Sequence, residues 1–291
     1  MCKDTQFIFT ISYGFHVFIV YLLCKSIMHD HMAPLFSIIT VTYNAAATLP
    51  ATLKSVKEQT CTLFEHIIMD GVSTDRTLKL AIDAGIPQAR IYSSPDKGIY
   101  DAMNKAMDAA KGDYLIFLNA GDSFHSPDTL ELLARKIVDN DYPGIVYGQT
   151  NLVDSERRFI APRHLTAPET LTLESFKEGM LVCHQAFIVN RKLAQPYNLK
   201  FRYSADYEWC IRCLQRSRRN FYIPDVIVDY LHEGTTTANR RKSLMERFRI
   251  MSYYYGFLPT VARHLAFLPR FLRQRRIEKE SVKSIESQNN K

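Results

Sequence analysis

The chain has 291 residues, 46% hydrophobic and 23% charged, with 11 Gly and 12 Pro scattered without a period; this excludes disordered, collagen-like and solenoid classes. The net charge of +7 is uneven, because the stretch from His232 to Lys291 holds 13 Lys and Arg against 5 Asp and Glu while residues 1–231 are close to neutral. A basic tail on a neutral body fits contact with an anionic membrane surface and argues against a nucleic-acid partner.

Residues 1–31 form an apolar N-terminal segment in which 20 consecutive residues, between Asp4 and Lys25, lack Asp, Glu, Lys and Arg. That length just crosses a bilayer, and no small-residue cleavage site follows. Two readings stand: a single N-terminal membrane anchor, or sequence upstream of a true start at Met28 or Met32. From Pro34 strands and helices alternate. Phe36 to Thr42, Phe64 to Met69, Arg90 to Ser93, Tyr114 to Leu118 and Ile145 to Tyr147 read as strands; Thr48 to Lys57, Thr74 to Ala84, Ile99 to Ala110 and Asp128 to Val138 read as helices. Met180 to Asn190 reads as a further strand interrupted by His184-Gln185, followed by a helix to Ser217 and a strand from Tyr222 to Tyr230. This order predicts an α/β fold, a mostly parallel Rossmann-like sheet with helices on both faces. The body spans 34–237, in two halves at 34–122 and 123–237. Basic, apolar C-terminal helices at 238–277 and a polar tail at 278–291 complete the chain.

Six cysteines are too few and too irregular for a disulfide framework. Cys210 and Cys213 form one CxxC inside an apolar-periodic stretch, with no second pair to complete a zinc site, so they read as two helix thiols.

In parallel α/β sheets ligands bind beyond the carboxyl ends of the strands. Here those ends carry Tyr43-Asn44, Asp70-Gly71-Val72-Ser73-Thr74-Asp75 and Asn119-Ala120-Gly121-Asp122. Neither GxGxxG nor GxxxxGK[ST] occurs, which disfavours dinucleotide oxidoreductases and P-loop kinases. Acidic strand ends suit a nucleoside diphosphate held through base and ribose, with a hard divalent cation, Mg2+ or Mn2+, on its phosphates.

Three ordered segments, Ser37 to Asn44 (SIITVTYN), Met69 to Thr77 (MDGVSTDRT) and Phe117 to Asp122 (FLNAGD), resemble the nucleotide-sugar half of glycosyltransferase family 2, which has the GT-A fold. The resemblance implies that Thr42 and Asn44 line a uridine or guanosine pocket, that Asp70 binds base or ribose, and that Asp75 lies beside them. Asn119 and Gly121 fall at the donor site. Asp122 matches the last carboxylate of a metal-binding DxD-type motif, although Gly121 and Ala120 precede it where a second acid is usual. Ser94 to Asn104 resembles the loop and helix below the nucleotide, with Asp96 and Gly98 near the sugar diphosphate and Asn104 on the same rim. Read from the residues alone, Asp96 is equally a helix cap.

In the second half, Tyr203 to Trp209 (YSADYEW) resembles the family's acidic motif at a helix start, so Asp206 becomes the base that takes the acceptor proton, with Ala205 where Glu is common. An N-cap is the competing reading of Asp206. His184-Gln185 resembles a pair found beneath the sugar in one subgroup; in an apolar strand, a lone His is also an ordinary core group. His232 and Arg240-Arg241-Lys242 lie where related transferases close over the diphosphate, with Gly234 as a hinge.

Together these imply an inverting transferase moving sugar from a nucleotide-sugar donor, UDP-linked, to a glycan or lipid-linked acceptor in surface polysaccharide synthesis. Its expected location is cytoplasmic and peripheral, at the inner face of the membrane. The alternatives are a noncatalytic nucleotide-binding membrane partner and a sugar nucleotidyltransferase. The latter wants a Gly-rich basic loop after the first strand, which Tyr43 to Ala47 does not supply.

Overall fold

The computed structural model describes residues 34–232 and 240–266. The N-terminal apolar segment, the Gly234 hinge and the tail beyond 266 lie outside the described residues.

Strands β1 (Phe36–Thr42), β2 (Phe64–Asp70), β3 (Ala89–Ser93) and β4 (Tyr114–Phe117) alternate with helices α1 (Leu49–Lys57), α2 (Thr77–Asp83) and α3 (Ile99–Ala109). These four strands lie in the order β3-β2-β1-β4, all parallel. Every residue of β1 and β2 is buried, as strands covered on both faces must be. Alternate residues divide between two cores. Ile38, Phe36 and Ile68 pack with α1 and α2, whereas Ile39, Ile67 and Phe117 pack with α3.

The second half continues the same sheet with mixed directions. After β5 (Ser123–Phe124) and α4 (Thr129–Asp139) come β6 (Ile145–Val153), β7 (Phe159–Pro162), β8 (Phe187–Asn190), α5 (Ala205–Arg216), β9 (Asn220–Leu231) and α6 (Arg240–Tyr255). The full order is β3-β2-β1-β4-β8-β6-β9-β5, with β7 on β6. β8 runs antiparallel to both β4 and β6, and β5 antiparallel to β9, while β6 and β9 are parallel. A further helical stretch covers 257–266.

Two boundaries differ from expectation for physical reasons. Helix α2 begins at Thr77 rather than Thr74, because Asp75 is drawn back to accept from the Thr77 amide and hydroxyl. The strand expected over Met180 to Asn190 is cut to four residues by a 3-10 turn, His184–Ala186, whose two polar side chains are engaged elsewhere. Cys210 and Cys213 are buried on α5, and burial pushes both thiols up, as for inert helix residues.

Candidate active site

The carboxyl ends of β1, β2 and β4 and the start of α3 form one rim. The loop after β2 is built around Asp70, which is 1% exposed. Its Oδ1 accepts from the Thr42 hydroxyl (3.0 Å) and the Ser73 hydroxyl (2.5 Å), and its Oδ2 from the Ser73 amide (3.0 Å) and the Ser93 hydroxyl (2.9 Å). Burial alone would raise this carboxyl, but the four donors outweigh it and hold Asp70 below the usual range. Thr42 and Asp70 therefore hold the β1 and β2 ends together beneath the rim.

The open groups lie above these two residues. Asn44 stands in the left-handed region (φ 49°) and its Oδ1 accepts from the Thr74 amide at 2.9 Å, which ties the β1 loop to the β2 loop. Val72 is also left-handed (φ 62°), a conformation costly for a β-branched residue and of the kind stored at binding loops. Asp75 is exposed; the Thr77 hydroxyl holds its carboxyl low, and its Oδ2 accepts from the Ala46 amide at 3.1 Å. Gly71 has no side chain because Asp96 occupies that space: a Cβ there would run into the Asp96 carboxylate. Asp96 also accepts from the Gly98 amide at 2.8 Å, so its capping and rim positions coexist.

Gly98 (φ 117°) opens α3, and two residues later the Tyr100 hydroxyl donates to Asp206 Oδ1 at 3.0 Å. Asp206 is half-buried in the first turn of α5, where Ser204, not Asp206, is the N-cap residue. Burial and the Asp206 charge push the Tyr100 hydroxyl well up, so it stays protonated as a donor. The Tyr100 ring stacks on Tyr197 (5.4 Å between centroids), and Tyr197 pairs its hydroxyl with His184 Nε2 at 2.7 Å. Sequence reasoning missed Tyr100 and Tyr197, although Tyr100 lies inside the segment singled out around Gly98.

Four expected rim residues turn inward. Asn104 spends its amide on the Tyr197 backbone, donating to the carbonyl (3.1 Å) and accepting from the amide (2.6 Å). His184 is 4% exposed among Phe117, Tyr197 and Trp209, and burial lowers it to about 4, so it is a neutral core group. Gln185 donates to Asp122 Oδ2 at 2.7 Å, and the Leu231 amide donates to Asp122 Oδ1 at 3.0 Å. Asp122 is thus 4% exposed with a protein donor on each oxygen, and burial raises it to about 7. Gly121 (φ 104°) precedes it, and its amide donates to Thr52 Oγ1 at 2.9 Å. His232 is exposed, with its amide on the Val153 carbonyl.

These contacts bear on the expected cation. Among the described residues no three His, Cys, Asp or Glu side chains converge. Beside Asp122, Asn119 Oδ1 is buried and without a hydrogen-bond partner among the described residues. One neutral amide oxygen and an Asp122 already bonded on both sides do not make a preformed Mg2+ or Mn2+ cage. Asp122 instead ties the β4 turn to β9 and to the turn that carries His184.

The family model for glycosyl transferase family 2 matches residues 37–195, more than half of the chain and all of the donor-side rim. The chain belongs to this family. As a glycosyltransferase, it is 39% identical over 213 residues to a PGL/p-HBAD biosynthesis glycosyltransferase of Mycobacterium bovis, covering 71% of this chain and 77% of the relative. Solved structures share the GT-A-type fold. Staphylococcus aureus TarS 1–349 in complex with UDP-GlcNAc superposes with a TM-score of 0.61 at 18% identity over 80% of this chain and 73% of TarS. The mannosyltransferase PcManGT of Pyrobaculum calidifontis, in complex with GDP-Man and Mn2+, gives 0.57 at 15% identity over 94% and 90%.

Proposed function

We propose that this glycosyltransferase is an inverting enzyme that moves a sugar from a UDP-linked donor to a hydroxyl of a lipid-linked glycan or glycolipid. The observation that carries the reading is the Tyr100 to Asp206 hydrogen bond. It joins the helix that starts on the donor rim to Asp206, a half-buried acidic side chain in the first turn of α5 whose Oδ1 alone accepts a hydrogen bond among the described residues. The PGL biosynthesis relative supports a glycolipid product, and the UDP-GlcNAc complex of the structural neighbour supports a uridine donor.

In this reading Asn44, Asp75 and Asp96 contact base, ribose and sugar above Asp70, and Asn119 Oδ1 accepts from a donor hydroxyl. The eleven-residue helix α3 begins at the same rim and directs its positive end toward the diphosphate. The acceptor oxygen attacks the anomeric carbon as its proton passes to Asp206 Oδ2. The bond from that carbon to the β-phosphate oxygen breaks, its electron pair leaves with the nucleoside diphosphate, and configuration inverts. Tyr100 fixes the other oxygen of the base throughout.

Replacement of Asp206 by Asn is expected to lower sugar transfer by about 10³-fold while calorimetric UDP affinity and the melting temperature hold. Transfer at wild-type rate by Asp206→Asn would remove the proposed base. GDP binding in place of UDP would redirect the donor assignment.

A further inference from the structure

Helix α6 buries Ile250 and Met251 in the core, but its first turns are arranged differently. Its inward face carries polar groups: Glu246 accepts from the Arg202 amide (2.9 Å) and the Tyr203 amide (2.7 Å), and Ser243 pairs with Ser204 (2.9 Å). Its outward face carries Leu244 (46% exposed) and Met245 (60% exposed), with Phe248 lining a shallow groove beside them. Phe248 continues this face onto 257–266 by an edge contact with Phe257 (6.0 Å), which is 60% exposed, and Leu258 next to it is 77% exposed. Arg241 and Arg249 are also exposed on α6. Among the described residues no helix is long and apolar enough to cross a membrane.

We propose that this face is a docking surface for an anionic lipid bilayer, on which α6 and residues 257–266 lie flat. Exposed bulky apolar side chains bordered by cations match acyl chains beneath acidic headgroups, and the excess of 13 basic over 5 acidic residues after His232 gives the same sign. Ile250 and Met251 supply the helix with its core contacts, so Leu244 and Met245 stand outside without serving the fold. The position of α6 has a consequence that rests on the acceptor role given to Asp206: Glu246 and Ser243 bolt the bilayer-facing helix to residues 202–204, the segment that leads into Asp206. A lipid-linked acceptor would then meet the base at the membrane surface.

Co-sedimentation of the full chain with phosphatidylcholine vesicles, with and without phosphatidylglycerol, tests this. Wild type is expected to partition at least about tenfold better into the anionic vesicles and to be released by salt. Met245→Glu with Phe257→Glu should abolish partition, and Arg249→Gln should weaken it about fivefold, since one basic residue near the surface counts severalfold. All variants should keep wild-type melting and wild-type hydrolysis of UDP-sugar in detergent-free buffer. Equal sedimentation of wild type and the Met245→Glu, Phe257→Glu variant would overturn the proposal. So would absence of vesicle binding by wild type, or light scattering that shows the face pairing two copies of the chain instead. Vesicle binding without sugar transfer by wild type would leave the docking face standing and count against the enzymatic reading alone.

Discussion

Glu65 and Asp206 are carboxylates at opposite edges of one body, and their partners set them apart. At the amino-terminal edge Glu65 accepts from the Ser37 hydroxyl (2.6 Å) and the Lys111 amide (2.5 Å), and the Arg90 guanidinium closes its other oxygen. Burial alone would raise Glu65, but these donors and the Arg90 charge together hold it low. At the carboxyl edge Asp206 Oδ1 accepts from a single phenol hydroxyl, that of Tyr100. A carboxylate whose lone pairs are all taken holds chain segments together, whereas one left partly open can take a proton. Asp70 sits at the carboxyl edge but belongs with Glu65 by this measure, having four donors, whereas Asp122 has one donor on each oxygen and burial raises it to about 7.

Exchanging the two readouts breaks the comparison most directly. Asp206→Asn is expected to remove about 10³ of rate at unchanged stability, and Glu65→Ala should do the reverse. Glu65→Ala leaves Arg90 uncompensated and strands the Lys111 amide and the buried Gly112 amide, a loss of about 3 kcal/mol in urea unfolding. UDP binding by the folded fraction should be unchanged. Loss of UDP affinity beyond the unfolded fraction would show that the two edges are not independent.

Between the edges lies a buried polar chain that sharpens the contrast through pH. Thr40 donates to the Leu118 carbonyl (2.7 Å), so its oxygen accepts from His66 Nε2–H (2.9 Å), and His66 Nδ1 is left without a partner. Burial lowers His66 to about 3. Its contribution is therefore fully present above pH 6.5 and declines as pH falls toward the folded value, because the unfolded chain takes a proton that the folded chain refuses. His184, lowered to about 4, acts in the same direction, whereas Asp122, raised to about 7, acts in the opposite one. Subtracting the curve of His66→Gln, which retains a donor to Thr40, isolates the first term. Wild type should lose about 2 kcal/mol more than this variant between pH 7 and about pH 5. Parallel curves would mean that His66 is protonated in the folded chain.

Much of the donor half was legible in the sequence. β1, β2 and β4 are uninterrupted apolar runs whose burial needs no distant information, and the polar residues after them had to fall at one rim. What was not legible depends on partners far along the chain. β5 and β7 have two and four residues, too short for periodicity, and exist because β9 and β6 offer them edges. Asp70, Asp122 and Asp206 look alike in sequence. Only the convergence of Ser93, Gln185, Leu231 and Tyr100 separates two struts from the open acid. The same applies to His184-Gln185, for which the family resemblance implied sugar contact and the residues alone a core group; they meet Tyr197 and Asp122 inside.

Tyr100 offers the finest test of that separation, since it touches Asp206 without being asked to touch donor or acceptor. If it only filled space, Tyr100→Phe would be silent, because the ring and its stacking on Tyr197 remain. If, as proposed, Asp206 is the base and the Tyr100 hydroxyl positions it, removal of that hydroxyl should lower kcat about tenfold, in keeping with the loss of one hydrogen bond worth about 1.4 kcal/mol in the transition state. UDP affinity and KM for donor should stay unchanged, as the rim residues Asn44, Asp75 and Asp96 are not in contact with the phenol. Tyr100→Phe combined with Asp206→Asn should be no slower than Asp206→Asn alone, because the hydroxyl acts through that one carboxylate. Additive losses would give Tyr100 a direct contact with the reacting sugar and detach it from the base.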